Sequence, residues 1–181
     1  MDKIKPLIEH GHNDFGENKV QEAVEKWSQI KKDNSSIKLH LIGKLQTNKV
    51  KFAVKLFDYI HSVDSIKLAK KIADEEVKLN KKIKIFIQVN IGNEDQKSGV
   101  HKSELTNLIS FCREINLDLI GLMCIPPAHT DPTRYFIEIS KLNKSFGFPH
   151  LSIGMSSDYM IASQNSATFL RIGSSLFGSR S

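Results

Sequence analysis

Apolar runs of strand length alternate with segments of helical periodicity along the whole of this 181-residue chain. The strand-like runs cover residues 13–15, 38–42, 59–63, 83–90, 117–123, 151–155 and 168–172. Strict alternation of strand and helix requires parallel strands joined by right-handed crossovers. The pattern therefore restricts the fold to an open doubly wound sheet or a closed barrel.

The segments between these runs have apolar residues at helical spacing. One such set is Val20, Val24, Trp27 and Ile30, and another is Leu105, Leu108, Ile109, Cys112 and Ile115. Ser65 and Ser103 each precede a helical segment, and a serine hydroxyl there can accept a hydrogen bond from the first helical turn. We therefore predict that both serines are N-caps.

Glycine and serine follow the last two predicted strands, in the segments 154–157 and 173–175. In parallel barrels a phosphate commonly sits after the last two strands. By contrast, no glycine-rich dinucleotide fingerprint follows the first predicted strand, which argues against the open sheet. These two observations favour a TIM-type barrel with a phosphate site at the end of the chain.

Every predicted strand ends in a hydrogen-bonding side chain or a glycine. The segments are 15–18, 40–43, 61–64, 88–90, 121–123, 154–156 and 171–174. A single polar residue at a strand end is more often part of a turn than a ligand. Seven of them in register predict one polar rim, on the edge of the barrel where the carboxyl ends of the strands meet.

Composition excludes several functional classes. The net charge of +6 comes from lysines spread along the chain, whereas nucleic-acid-binding proteins concentrate basic residues on one face. No apolar run is long enough to cross a membrane, and the polar first residues do not form a signal peptide. Cys112 and Cys124 lack metal-site or redox spacing. We expect one cytoplasmic domain over residues 1–181, with no metal, nucleic-acid or membrane partner.

Seven segments resemble, in order, the pyridoxal 5′-phosphate (PLP) homeostasis proteins, the PROSC-type PLP-binding family. They read FGENKVQEA, HLIGKLQTNK, HSVDS, IQVNIGNEDQKSG, GLMCIPP, LSIGMSSD and RIGSSLFGSR. The resemblance implies a single-domain barrel similar to the N-terminal domain of alanine racemase. It also implies PLP held as a Schiff base on a lysine, no established catalytic turnover, and a role in storing or delivering PLP.

The resemblance places the cofactor's phosphate and ring nitrogen on specific residues. Ser156, Gly173 and Ser174 would take the phosphate, through hydroxyls and backbone N–H groups beside a helix N-terminus. Arg171 would lie by the pyridine nitrogen. Because a guanidinium is permanently charged, it would keep that nitrogen unprotonated and weaken the ring as an electron sink.

Two further residues are candidates for contact with the ring. Asn90 would lie near the ring face, and Met155 would line the floor of the site. A capped strand end for Asn90 and a core side chain for Met155 are equally consistent with the sequence.

The family's Schiff-base lysine has no clear counterpart. Only 14 residues precede Phe15, fewer than separate that lysine from the corresponding phenylalanine in the family. A gap-free match makes residues 3–12 the helix after the first strand and puts the lysine just before Met1. A rival match, with a deletion in that helix, assigns the lysine to Lys3. The gap-free match predicts an α/β barrel of about seven parallel strands that lacks its first helix and first strand, with PLP held weakly and reversibly.

Three functions follow from these expectations. The first is a non-catalytic PLP-binding protein, monomeric, that contacts PLP-dependent apoenzymes transiently. The second is a decayed remnant without activity. The third is a PLP-dependent racemase-like enzyme, which is disfavoured because nothing in the chain corresponds to a second domain that would bring a catalytic tyrosine.

Overall fold

The computed structural model describes residues 3–94 and 96–178, and in them strands and helices alternate as the sequence predicts. The strands are β1 (Asp14–Glu17), β2 (Lys38–Leu41), β3 (Tyr59–Val63), β4 (Lys84–Gln88), β5 (Asp118–Met123), β6 (His150–Met155) and β7 (Phe169–Arg171). The helices are α1 (Lys5–Glu9), α2 (Val20–Asp33), α3 (Val50–Leu56), α4 (Ile66–Leu79), α5 (Lys102–Glu114), α6 (Thr133–Ser145), α7 (Tyr159–Gln164) and α8 (Ser174–Phe177). All seven predicted strands are present.

The strands form one parallel sheet in chain order, from β1 to β7. The sheet curls until its two ends approach each other: the ring centroids of His40 on β2 and Phe169 on β7 are 5.7 Å apart. The result is a nearly closed barrel with β1 and β7 at the two ends of the sheet. The predicted TIM-type α/β architecture with seven parallel strands is thus confirmed.

Strand alternation separates two layers of packing, because successive side chains point to opposite faces of a sheet. Outward-facing residues such as Leu39, Ile85 and Ile153 are buried against the helices in the larger cluster. A smaller cluster of Phe86, Ile120 and Met123, with Phe169 packed against it, fills the inside of the barrel. Polar residues in phase with this inner set therefore point into the barrel.

The helices cover the outside of the sheet, and their predicted starts are partly correct. Ser65 caps α4 by accepting a hydrogen bond from the Leu68 N–H at 3.4 Å. The prediction for Ser103 is wrong, since α5 begins at Lys102 with His101 as N-cap. A parallel bridge between Val89 and Val100 fixes the chain immediately before the helix, which lets the helix begin earlier than expected.

The remaining predictions on the architecture concern the first helix, the cysteines and the membrane. Residues 3–12 were expected to be helical, and α1 occupies the middle of that segment. Cys112 and Cys124 are free and buried. Among the described residues, no helix combines the length and the apolar character that crossing a bilayer demands.

Candidate functional site

A small cup of hydroxyls and backbone N–H groups lies where β6 and β7 end. The Ser156 Oγ accepts hydrogen bonds from the backbone N–H groups of Gly173 at 3.0 Å and Ser175 at 3.3 Å. The Ser175 hydroxyl in turn donates to the Ser156 carbonyl at 3.4 Å. The two glycine- and serine-containing loops that the sequence singled out are therefore joined in space.

The cup has the room and the donors that an oxyanion needs. Among residues 3–94 and 96–178, and apart from the two chain neighbours of Gly173, no heavy atom lies within 4 Å of the position that a Cβ on Gly173 would occupy, so there is open space over the loop. The side chain of Ser174, the first residue of α8, is exposed beside it. Because α8 has only four residues, the individual N–H groups and hydroxyls contribute more here than a helix dipole would.

A bulge at Gly154 sets the position of the cup relative to the rest of the sheet. Ser152 pairs with Phe169 and Met155 pairs with Arg171, so between these two pairs β6 contains one residue more than β7. Gly154 has a φ of +90°, a conformation that costs an L side chain energy. The bulge brings Met155 and Arg171 side by side at the strand ends, next to Ser156.

Arg171 points from β7 into the barrel and reaches past β6 to Cys124, the residue that follows β5. Its Nη1 donates to the Ser152 carbonyl and to the Ser152 Oγ, each at 2.8 Å, and its Nη2 donates to the Cys124 carbonyl at 2.9 Å. Burial lowers the pKa of the guanidinium from its ordinary value, although an arginine remains charged in proteins. The structure thus places one partly buried positive charge next to the cup.

A row of hydrogen-bonded side chains continues from Arg171 across the inside of the barrel. The Ser152 Oγ lies 2.9 Å from the Nδ1 of His61, whose Nε2 lies 3.0 Å from the Nδ1 of His40. The Nε2 of His40 lies 3.0 Å from the Oδ1 of Asp14. The row therefore runs from β7 to β1, from the carboxyl edge of the barrel towards its amino edge.

Both histidines in this row favour the neutral form. Desolvation lowers the pKa of His40, against the hydrogen bond and charge of Asp14, which raise it. Desolvation also lowers the pKa of His61 well below its ordinary value, and the charges of His40 and Arg171 lower it further. We refer to Asp14, His40, His61 and Ser152, together with Arg171, as the interior relay.

The other candidate residues lie around the cup without joining it. The side-chain amide of Asn90 closes the loop after β4, donating to the Glu94 carbonyl at 2.9 Å and accepting from the Glu94 N–H at 3.1 Å. The Nζ of Lys3 donates to the carbonyl of Phe177 at 2.6 Å. Lys3 therefore lies at the far end of α8 from the cup.

Reasoning from sequence misplaced part of the polar rim and missed the interior relay. His40 and His61 were assigned to the rim, but they lie within β2 and β3, 5% and 1% exposed. The signal was present in the alternation: His40 stands between two outward-facing leucines, and Ser152 between Leu151 and Ile153. Alternation predicts the face of the sheet on which a side chain lies, but it does not predict which side chains on other strands it contacts across the barrel.

Comparison with known proteins identifies close relatives over almost the full length of the chain. The sequence profile of the family described as alanine racemase, N-terminal domain, matches residues 1–181. The pyridoxal phosphate homeostasis protein of Aquifex aeolicus is 37% identical over 187 residues, which cover 98% of this chain and 81% of that protein. The protein of the same name from Escherichia coli K12 is 34% identical, covering 98% and 80%.

Solved structures share the fold. PipY of Synechococcus elongatus PCC7942, solved with PLP bound, has a TM-score of 0.90 and 31% identity, covering 98% of this chain and 87% of that one. Alanine racemase of Clostridium difficile has a TM-score of 0.77 at 15% identity, covering 99% of this chain but 48% of the enzyme. At that identity the racemase likeness concerns the fold alone.

Proposed function

Since this chain belongs to the family of the pyridoxal phosphate homeostasis proteins, we propose that it binds PLP at the cup and the neighbouring Arg171 and takes part in PLP homeostasis without catalysing a reaction. PLP supplies an aldehyde that amines attack and a ring that withdraws electrons. The residues of the chain would bind it, orient it and restrain that chemistry.

The observation that carries the proposal is the convergence of donors at Ser156. Two backbone N–H groups, from Gly173 and Ser175, and the hydroxyl of Ser156 itself meet beside the open space over Gly173. Backbone N–H groups gathered in this way favour a phosphate dianion without requiring a lysine or arginine side chain. Ser174, at the edge of the cup, completes the proposed phosphate end of the site, and Met155 would line its floor.

Arg171 supports a non-catalytic role. Its guanidinium cannot transfer a proton to the pyridine nitrogen at physiological pH, so the ring would stay unprotonated and would stabilise a carbanion poorly. Asn90 is assigned to the wall of the site next to the ring, with its amide held by the Glu94 backbone. We extend the proposal to a cytoplasmic monomer that contacts PLP-dependent apoenzymes transiently when it delivers the cofactor.

Substitution of Ser156 tests the cup directly. Ser156→Ala removes one hydroxyl that two N–H groups contact, and we expect PLP to bind about tenfold more weakly, the loss of roughly one charge-assisted hydrogen bond. Ser157→Ala is the matched control, because Ser157 is the neighbouring residue and its side chain is exposed. Affinity is measured by titration of the PLP absorbance, with pyridoxal, which lacks the phosphate, as a second ligand.

Two results would contradict the proposal. If Ser156→Ala and Ser157→Ala bind PLP equally well, or if pyridoxal binds as tightly as PLP, the phosphate is not held at the cup. The non-catalytic part is tested separately, by incubating the PLP-loaded protein with L-alanine and following D-alanine by chiral chromatography. Turnover there would favour the racemase-like alternative.

A further inference from the structure

With both histidines neutral and the Asp14 carboxylate only accepting, the interior relay admits one arrangement of protons in which every hydrogen bond is made. A guanidinium only donates, so the Ser152 Oγ accepts from Arg171, and in this arrangement it gives its own proton to the Nδ1 of His61. The proton of His61 is then on Nε2 and is directed to the Nδ1 of His40. His40 consequently carries its proton on Nε2 and donates it to Asp14, whose carboxylate only accepts.

Burying the polar side chains of the relay costs free energy unless each of them has a hydrogen-bond partner. Ser152 and His61 are 0% and 1% exposed, and inside the barrel they lie beside the cluster of Phe86, Ile120 and Met123. Stacking fixes both imidazole rings: His40 lies on Tyr59 with centroids 4.2 Å apart, and His61 lies on Phe86 at 4.4 Å. A buried polar network that is fully satisfied favours a single arrangement of its members over the alternatives.

We propose that Ser152, His61 and His40 are positioning residues for Arg171, and that the relay they form with Asp14 holds the guanidinium in place as the contact for the pyridine nitrogen of PLP. This inference rests on the proposed function. Ser152 joins the histidines to Arg171, since its carbonyl and its hydroxyl both accept hydrogen bonds from the Nη1 of Arg171. Loss of the relay would leave Arg171 anchored by backbone carbonyls alone.

The neutral state of the histidines is part of this role. If His61 became an imidazolium, its Nδ1 would also carry a proton and would donate to the Ser152 Oγ, so the Ser152 hydroxyl could no longer donate to His61. It would also place a second positive charge beside the guanidinium. With both histidines neutral, the positive charge of the relay is confined to Arg171, and its negative charge lies at Asp14.

Asp14 allows the relay to be tested from outside the cofactor site. It lies at the amino end of β1, its side chain is 59% exposed, and the hydrogen bonds of the relay connect it to Arg171 beside the cup. Asp14→Ala removes the final acceptor. Asp14→Asn keeps an oxygen that can accept from His40 and should restore the arrangement. The matched control is Asp118→Ala, an exposed aspartate at the amino end of β5.

The first measurement uses the cofactor-free protein, with ¹⁵N-labelled histidine and arginine observed by NMR at pH 7. We expect the Nε2–H tautomer of both His40 and His61 in the wild type, in Asp14→Asn and in Asp118→Ala. Asp14→Ala should shift both histidines towards mixed tautomers and speed exchange of the Arg171 guanidinium protons. An imidazolium or an Nδ1–H tautomer at either histidine in the wild type would overturn the relay.

The second measurement compares PLP with inorganic phosphate. Asp14→Ala should weaken PLP binding by about two- to tenfold, the range of one net hydrogen bond, and leave phosphate binding unchanged, whereas Asp118→Ala should alter neither. Equal behaviour of Asp14→Ala and Asp118→Ala would overturn the positioning role. If the wild type binds phosphate but no PLP, the proposed function fails, and the NMR measurement still decides whether the relay holds Arg171.

Discussion

Replacement of Gly154 by alanine should destabilise the protein far more than a glycine substitution that only disturbs the backbone. At a φ of +90°, an L side chain costs about 1–2 kcal/mol in backbone strain. A Cβ at Gly154 would also lie 2.5 Å from the Cβ of Ala162 on α7 and 2.9 Å from the Cδ2 of Leu170. Leu170 is 41% exposed and can rotate away, but Ala162 is part of a helix and cannot.

The loss of stability caused by this steric clash can be compared with that of a control variant, Gly147→Ala. Forcing an extra methyl group into a packed interior costs about 1–3 kcal/mol, so the total for Gly154→Ala is about 2–5 kcal/mol. Gly147 also has a positive φ, +73°, but within the described part of the chain no heavy atom beyond its two neighbours lies within 4 Å of its Cβ position. Gly147→Ala should therefore cost only the strain of about 1–2 kcal/mol.

Urea unfolding followed by far-UV circular dichroism measures both effects. Since the slope for a small protein is about 1–3 kcal/mol per molar urea, Gly154→Ala should lower the midpoint by about 1 M or more, and clearly more than Gly147→Ala. Equal midpoints for the two variants would refute the argument that α7 packs against the bulge.

Three further predictions concern titration and reactivity. Because the folded-state pKa of His61 and that of His40 are lowered from 6.5, the unfolded chain takes up protons first on acidification. The contribution of the two neutral histidines to stability should therefore be fully present above pH 6.5 and be lost below it, by up to about 1.4 kcal/mol per pH unit for each histidine. His61→Gln should reduce the slope of the urea midpoint against pH, and an unchanged slope would show that His61 is not the cause. Burial raises the pKa of the Cys124 thiol to about 12, so a thiol reagent should modify it only in urea, and rapid labelling of the native protein would refute that burial. Finally, dialysis should remove bound PLP from the wild type and from Lys3→Ala alike, because no Schiff base is expected on Lys3. Mass spectra after borohydride reduction test this, with Lys5→Ala as the control variant. A reduced PLP adduct at Lys3 would instead support the match that assigns the Schiff-base lysine to Lys3.

Local pattern was sufficient to predict the strands and most of the cup. Each strand is a short run whose period and apolar content depend on neighbouring residues only, so 59–63 was predicted to the residue. The glycine and serine residues of 154–157 and 173–175 mark the carboxyl ends of β6 and β7 for the same local reason. The start of α5 was not predicted, because a bridge to Val89, distant in sequence, fixes the chain just before it.

The sequence by itself therefore determined the order of strands and helices, the two loops of the cup and, through its family resemblance, the proposed ligand. Only the tertiary structure decided how the inward-facing polar residues pair. The side chains of His61 and Ser152 are 91 residues apart in the chain and 2.9 Å apart in space. Alternation assigns each residue to a face of the sheet, but the curvature of the whole barrel decides which residues on that face meet.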